Sequence, residues 1–537
     1  MNSSLLPVRT IADKLGLGDA YLEPLGSFTG KLRLELLDDP RYPRRGRLIL
    51  VTATTPTVAG EGKTVTSIGL AQGLERIGKR SIVTVREPAI GPVFGMKGGG
   101  AGGGRAAVEP SEKINLHFHG DFHAITAAHN LLAAELDAHL HHGNTLDLDP
   151  EQIVWPRTMD MCDRALRRII VGQGKGNGPE RQSGFVITSA SEIMAIMALA
   201  GSRADLRQRL ARIALGYTRG GKLITCADLK ITGSLMALLN DALLPNLAQT
   251  TEGTPALVHI GPFANIATGT SSVLSQQMAL HLADYVVNEV GFATDLGAEK
   301  YFDVVMRTSG IEPAAAVLVT TARSLREQGG GDLISGLANL DRHICILRRF
   351  GVPIIVAINR FPGDTPADLD TLASHCASLG IPSALSEAYT RGGAGCTDLA
   401  QKTVNLIADH PTASPRSVYS LDRSLEDKVR AVAREIYGAD DVVFSETAQR
   451  RLARITEYGF AGLPVCIAKT QYSLSDNPKL SGAPTGWKLQ VTDAVLNAGA
   501  GFVVILAGKI LLMPGLPAVS RAQLIDVDEA GNITGLV

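Results

Sequence analysis

Short apolar runs rich in Val and Ile, each closed by a polar residue or a glycine turn, punctuate this chain. They are RLILVTA (47–53), RSIVTV (80–85), ADYVVNEV (283–290), AAAVLVTT (314–321) and PIIVAIN (353–359). Runs of this length without polar alternation suit strands buried on both faces. Helical spacing fills the intervals, as in VTSIGLAQGLERIG after the first run and ISGLANLDRHICILRRFG before the last. Alternating strands and helices predict an α/β fold with a doubly wound, mostly parallel sheet whose ligands lie at the carboxyl ends of the strands. The interval between the second and third runs is too long for a simple crossover. Residues 125–255 are mostly helical by pattern, as in SEIMAIMALAGSRADLRQRLARIALG, and are read as an inserted lobe. A Pro/Ser-rich break, HPTASPRS at 410–417, marks the start of a C-terminal α/β domain. The expected division is 1–124 and 256–410 as two parts of a nucleotide-binding core, 125–255 as the lobe, and 411–537 as the last domain.

Composition narrows this picture without redirecting it. A chain of 537 residues exceeds one hydrophobic core and should form about two to four domains. Its 45% apolar and 20% charged content is ordinary for a globular protein, and a net charge of −1 argues against a nucleic-acid or membrane surface. The N-terminal MNSSLLPVRTIADKLGL does not read as a leader, and the apolar stretch AGFVVILAGKILLM is broken by glycine and lysine and too short to span a bilayer. Six scattered cysteines with no CxxC pair suit free thiols in a reducing cytoplasm.

The segment TTPTVAGEGKT, 54–64, carries the clearest chemistry. A strand, a glycine-containing turn and a helix in that order present backbone N–H groups and the positive end of a helix dipole to an anion. Lys63 would reach the outer phosphates, and the Thr64 hydroxyl is placed to hold magnesium. The usual phosphate loop has glycine five residues before Gly62, where this chain has Thr57, so GEGKT is a variant of the pattern.

Other segments leave alternatives open. The Gly/Ala run 98–104, within REPAIGPVFGMKGGGAGGGRAAVEP, is either a flexible linker or a loop whose bare backbone approaches a ligand. Arg86 ends the second strand, where it bridges a carboxylate and a phosphate or merely pairs with Glu87. His117, His119, Asp121 and His123 in INLHFHGDFHAITAAHN read as metal ligands or as hydrogen-bonding groups that orient an anionic substrate. Glu289 ends a strand, either near magnesium or simply in solvent. GPFANIATG (261–269) and GFATDLGAEKYFD (291–303) are glycine-punctuated turns after strands.

These segments, with AHNLLAAELDAHL, VPIIVAINRFPGDT, LPVCIAKTQYSLSDNP and ILLMPGLP, run almost end to end, and the chain closely resembles the formate–tetrahydrofolate ligase family. The resemblance implies a cytosolic homotetramer of one-carbon metabolism with a phosphate-loop NTPase-like core. It implies ATP, formate and tetrahydrofolate as substrates, magnesium, and a monovalent cation that supports the fold. The implied ATP-binding set is Thr57, Gly60, Glu61, Gly62, Lys63, Thr64 and Phe263. Phe361 and Tyr389 match the aromatic pair that sandwiches the pterin, against the alternative of two core aromatics. The chain departs from the family pattern at Val58 (proline), His119 (threonine), Val186 (aspartate), Thr268 (histidine), Tyr389 (tryptophan) and Lys509 (glutamate), and carries VVMR at 304–307 in place of IKCR.

Formate is a weak electrophile because its carboxylate is charged and has only oxide to expel. Phosphorylation by ATP gives formyl phosphate, whose leaving group is phosphate, and the folate amine then attacks the formyl carbon. Lys63, Arg86, magnesium and the loop amides are expected to stabilise the phosphoryl charge. His117 is placed to take the amine proton. A divergent paralogue with another acceptor, an ATP-driven assembly switch and a metal-dependent hydrolase built on HFHGDFH are the competing readings.

Overall fold

The computed structural model describes residues 5–97, 99–508 and 510–536, and the side chains of all of these but Met96 and Lys97. Gly98 and Lys509, both singled out in the sequence, lie outside the described residues.

All five apolar runs are strands of one large, mostly parallel sheet in a mixed α/β chain. Its parallel part comprises β1 (Arg47–Ala53), β2 (Ser81–Val85), β3 (Pro255–Val258), β4 (Tyr285–Glu289), β5 (Pro313–Thr320), β6 (Ile354–Asn359) and β7 (Ser383–Ser386). They lie side by side in the order β3–β2–β4–β1–β5–β6–β7, every neighbouring pair parallel. The antiparallel strands Asn246–Thr250, Gly30–Leu32 and Leu22–Pro24 extend the edge beyond β3.

The strand runs are apolar throughout because both faces are covered. Ile49 and Val51 of β1, with Val317 of β5, point to one face and pack with Ile68 and Leu74 of α1 (Lys63–Arg76). Leu48 and Leu50, with Leu318, point to the other and pack with Leu340 and Leu347 of the helix Leu333–Phe350. Burying such aliphatic side chains contributes roughly 1.5–3 kcal/mol each. Gly69 and Gly73, one turn apart on α1, let that helix lie almost against the chain after β7. A Cβ on Gly69 would stand 2.4 Å from the Ala388 Cβ, and one on Gly73 2.8 Å from the Cys396 carbonyl oxygen.

The stretch 125–255 is less helical than its pattern suggests. The helices Asp121–His141, Glu192–Leu199, Arg203–Ala211 and Thr232–Leu239 alternate with short strands at 157–159, 169–171, 181–183, 185–187, 214–217 and 223–225. The long helical pattern from Ser191 breaks at Gly201. Ser202 starts a second helix by accepting a hydrogen bond from the Asp205 N–H, and Ala214–Tyr217 is extended. The helix Asp121–His141 runs through position 124, and β3 begins at 255. After residue 411 a four-stranded mixed sheet forms in the order Asp441–Phe444, Lys488–Asn497, Phe502–Ala507, Val465–Ala468, with helices Leu425–Val432 and Glu446–Glu457. No helix among the described residues is long and apolar enough to cross a membrane.

Candidate active site

The carboxyl ends of the parallel strands bring the chemistry together. After β1 the chain turns through 54–62 and enters α1 at Lys63. Gly60 (φ 78°) and Gly62 (φ 71°) take the left-handed conformation that glycine adopts without penalty. A Cβ on Gly62 would stand 2.3 Å from Asn359 Nδ2, which donates to the Glu61 carbonyl at 3.0 Å from the end of β6. The Glu61 carboxylate braces the turn from inside. It accepts from the Thr57 N–H at 2.8 Å and from the Thr321 hydroxyl at 2.5 Å. Behind the loop, Thr55 Oγ1 shares hydrogen bonds with His343 Nε2 (3.0 Å) and Asn339 Nδ2 (3.0 Å) of the helix Leu333–Phe350.

No side chain caps α1, whereas Ser202, Ser272, Asp332, Thr365 and Ser445 cap other helices. Its first N–H groups are therefore open to an anion. Lys63, half-buried in that first turn, makes no hydrogen bond or ion pair among the described residues. Burial pushes its ammonium below the usual lysine value, with Glu289 and Glu61 opposing. An ammonium held out of water without a close counterion is poised to gain from a phosphate. The Thr64 hydroxyl, also half-buried, is likewise free of protein partners, which fits a magnesium ligand. Thr57 Oγ1 is buried without a partner, and Val58 is 78% exposed at the turn.

Arg86 follows β2. Its Nη1 donates to the Pro262 carbonyl at 3.0 Å, and its Nη2 lies 4.0 Å from Glu289 Oε1 at the end of β4. Arg86 thus faces Glu289, while Glu87 points elsewhere. Burial holds Glu87 well above the carboxylate range, reinforced by Asp121, and its Oε2 has no partner. Gly291 lets the guanidinium in, since a Cβ there would stand 3.1 Å from Nη2. Phe263, next to Pro262, is half-buried, and its N–H donates to the Ser189 carbonyl at 3.2 Å.

The glycine run is a folded loop. Gly102–Gly103 pairs antiparallel with Ala106–Ala107, and the Arg105 N–H donates to the Tyr389 carbonyl at 2.9 Å. A Cβ on Gly104 would stand 2.2 Å from that carbonyl oxygen, so the bare backbone is needed for contact with Tyr389. The Tyr389 side chain itself is 60% exposed. Phe361 lies in the turn after β6, its N–H donating to Asp364 Oδ2 at 2.7 Å. Arg360 joins the two aromatic loops through the Ser386 carbonyl (3.1 Å) and Glu387 (3.0 Å). The rings of Phe361 and Tyr389 do not stack on each other among the described residues.

The histidine-rich segment lies apart. His119 bonds Thr29 and Asn246 at 2.9 Å each, and Asp121 pairs with Lys31 at 2.9 Å. His117 and His123 are exposed, and among the described residues the His117 side chain makes no hydrogen bond or ion pair with Lys63, Arg86 or Glu289. Among the described residues no group of three or more His, Cys, Asp or Glu is arranged to hold a metal ion.

The family model for formate–tetrahydrofolate ligase matches residues 1–537. The chain belongs to this family. A relative from Thermotoga petrophila named formate–tetrahydrofolate ligase is 48% identical over 542 residues, covering 99% of each chain. Membership names formate and tetrahydrofolate as the substrates of the family. The geometry also brings to the turn three residues that sequence reasoning passed over. Thr321, Arg323 and Asn359 all sit at strand carboxyl ends, and extending that rule from β1 and β2 to β5 and β6 would have found them.

Proposed function

We infer that the chain carries out the family reaction, ATP-dependent ligation of formate to tetrahydrofolate, by way of formyl phosphate on a doubly wound phosphate-loop core. The observation that carries this reading is the uncapped start of α1, flanked by Lys63 and Arg86. The γ-phosphate occupies the turn 57–64, where the N–H groups of the first turn and Lys63 receive its charge. A formate oxygen attacks the γ-phosphorus, the bond to the ADP oxygen breaks, and ADP leaves. Formate is already ionised at neutral pH and needs no base. Arg86, fixed by Pro262 and Glu289, orients formate and the transferring phosphoryl group through its fork. Thr64 would hold magnesium, with Glu289 nearby; the ion neutralises phosphate charge when bound. A monovalent cation has a candidate acceptor in the orphaned Oε2 of Glu87.

The folate amine then attacks the formyl carbon, the carbon–oxygen bond to phosphate breaks, and the amine proton passes to water. The pterin lies between Phe361 and Tyr389, on loops already joined by Arg360. In this reading residues 1–124 and 256–410 make the core, 125–255 a lobe and 411–537 a further domain. The active form is a cytoplasmic homotetramer. Oxygen-18 placed in formate tests the intermediate. Labelled inorganic phosphate after turnover is expected, and unlabelled phosphate would rule out the acyl phosphate.

A further inference from the structure

Arg323 touches both the phosphate loop and an aromatic ring assigned to the pterin. It occupies the first turn of α2 (Ala322–Gln328), directly after β5. Its Nη2 donates to the Gly60 carbonyl at 2.5 Å and lies 3.9 Å from Glu61 Oε2. Its Cζ sits 4.4 Å from the centre of the Phe361 ring, within cation–π range. Thr321, which caps α2 by accepting from the Ser324 N–H, also donates to Glu61, so the helix start and the loop form one hydrogen-bonded unit. A guanidinium is planar and forked, so it can stack on a ring with its face while its edge holds a carbonyl.

We propose that Arg323 is a positioning residue that couples the two halves of the reaction: nucleotide at the phosphate loop fixes Arg323 through Gly60, and Arg323 in turn fixes the Phe361 ring for the pterin. The inference rests on the assignment of phosphate to the turn 57–64 and of pterin to Phe361. One face of the ring is taken by the guanidinium, which leaves the other for ligand. Gly60 lies in the left-handed region at the tip of the turn, where filling the anion site acts on it directly. Binding at one site thereby lowers the ordering cost at the other, and by linkage the effect is reciprocal.

The test is calorimetric titration of tetrahydrofolate with and without magnesium and a non-hydrolysable ATP analogue, in the absence of formate. The wild-type protein is expected to bind folate about fivefold more tightly with nucleotide present, with the same factor in the reverse titration. Arg323→Gln should bring the ratio to about one. Arg323→Lys, which keeps the charge but has no fork to hold carbonyl and ring together, should retain less than half of the coupling and covers the case of a misfolded glutamine variant. A merely structural role would lower the melting temperature and leave the ratio unchanged. A wild-type ratio of one, or an unchanged ratio in a folded Arg323 variant, overturns the proposal. Phe361→Ala separates the two levels of the argument. If it leaves folate affinity intact, the pterin assignment fails. If it weakens folate binding while the Arg323 variants keep full coupling, only the present inference fails.

Discussion

Lys63 is half-buried and Lys469 fully buried, and the fold treats their charges in opposite ways. Lys469 is fully buried in the KTQYS segment, where its ammonium meets Asp295 Oδ2 at 2.6 Å and the Ser473 carbonyl at 2.6 Å. Lys31, on the far side of the sheet edge, is satisfied in the same way by Asp121 and the Leu244 carbonyl. Lys63 has no such partner, and its neighbour Arg86 holds Glu289 only at 4.0 Å. A buried charge without a close counterion is costly, and folds retain one where a ligand supplies the missing charge. Closely paired lysines therefore mark where the chain stabilises itself, and the loosely paired cations mark where it binds something.

The largest effect expected from this contrast is on turnover. Lys63→Ala should reduce kcat by about 10³–10⁵-fold, the scale of a cation placed on a transferring phosphoryl group. The melting temperature should hardly change, because Lys63 makes no bond that the fold depends on. Near-normal activity in the folded variant would remove the phosphate assignment. Lys469→Met should do the reverse. It leaves Asp295 uncompensated, at a cost of about 3–5 kcal/mol in denaturant unfolding, while protein that remains folded keeps most of its kcat. Adding Asp295→Leu should restore much of that stability. A Lys469→Met protein as stable as the parent would break the comparison.

A third, smaller effect concerns the support behind the phosphate loop. Burial lowers the His343 imidazole to about 4 from its usual 6.5, with Asp295 opposing, so it holds Thr55 as a neutral group. Between those values the unfolded chain binds a proton there and the folded chain does not. Stability from this residue is therefore present above pH 6.5 and falls as pH drops toward 4, by about 1.4 kcal/mol per pH unit. His343→Asn removes the titrating group. Its stability deficit relative to the parent should shrink by roughly 2 kcal/mol between pH 7 and pH 5. A deficit independent of pH would mean that the fold leaves the His343 imidazole at its unfolded value.

The sequence announced the scaffold more fully than the site. β1, β2, β4, β5 and β6 were legible because strands buried on both faces must be apolar at every position, and that leaves continuous runs. β3 and β7 were not, since PALV and SALS are too short to stand out from their surroundings. The strand, turn and helix around 54–64 were legible because Gly60, Gly62 and Lys63 fall between an apolar run and a helical pattern. The glycine run was ambiguous because composition does not distinguish a linker from a backbone that packs tightly. The contact between Gly104 and Tyr389 decides that question, and it joins residues nearly three hundred positions apart. The histidine-rich segment was ambiguous in the opposite way. Its residues have ligand chemistry, yet His119 and Asp121 turn inward to Thr29, Asn246 and Lys31, partners that no local pattern reveals.

The smallest expected effect concerns Tyr389, where the family pattern has tryptophan. The side chain is 60% exposed, while its backbone is held by the Arg105 N–H and the glycine loop. Position and ring are therefore separable: the loop fixes where the ring stands, and the ring alone determines the stacking area offered to a flat ligand. Stacked aromatic pairs contribute about 0.5–1.5 kcal/mol beyond burial, and an indole offers more area than a phenol. Tyr389→Trp should lower the Michaelis constant for tetrahydrofolate by a factor of about two to five, within that range, and leave the constant for ATP unchanged. One edge of the ring rests on the glycine loop, since a Cβ on Gly103 would stand 3.3 Å from Tyr389 Cε2 and one on Gly104 3.0 Å from Cδ2, so an indole must extend over the exposed side. Tyr389→Ala should raise the folate constant much more than the ATP constant, with no change in melting temperature. Folate kinetics indifferent to both substitutions would take Tyr389 out of the pterin site and leave its role as a lid on the glycine loop. That result would also sharpen the contrast drawn from the lysines, since an exposed ring would then join Lys31 and Lys469 among the groups that serve the fold alone.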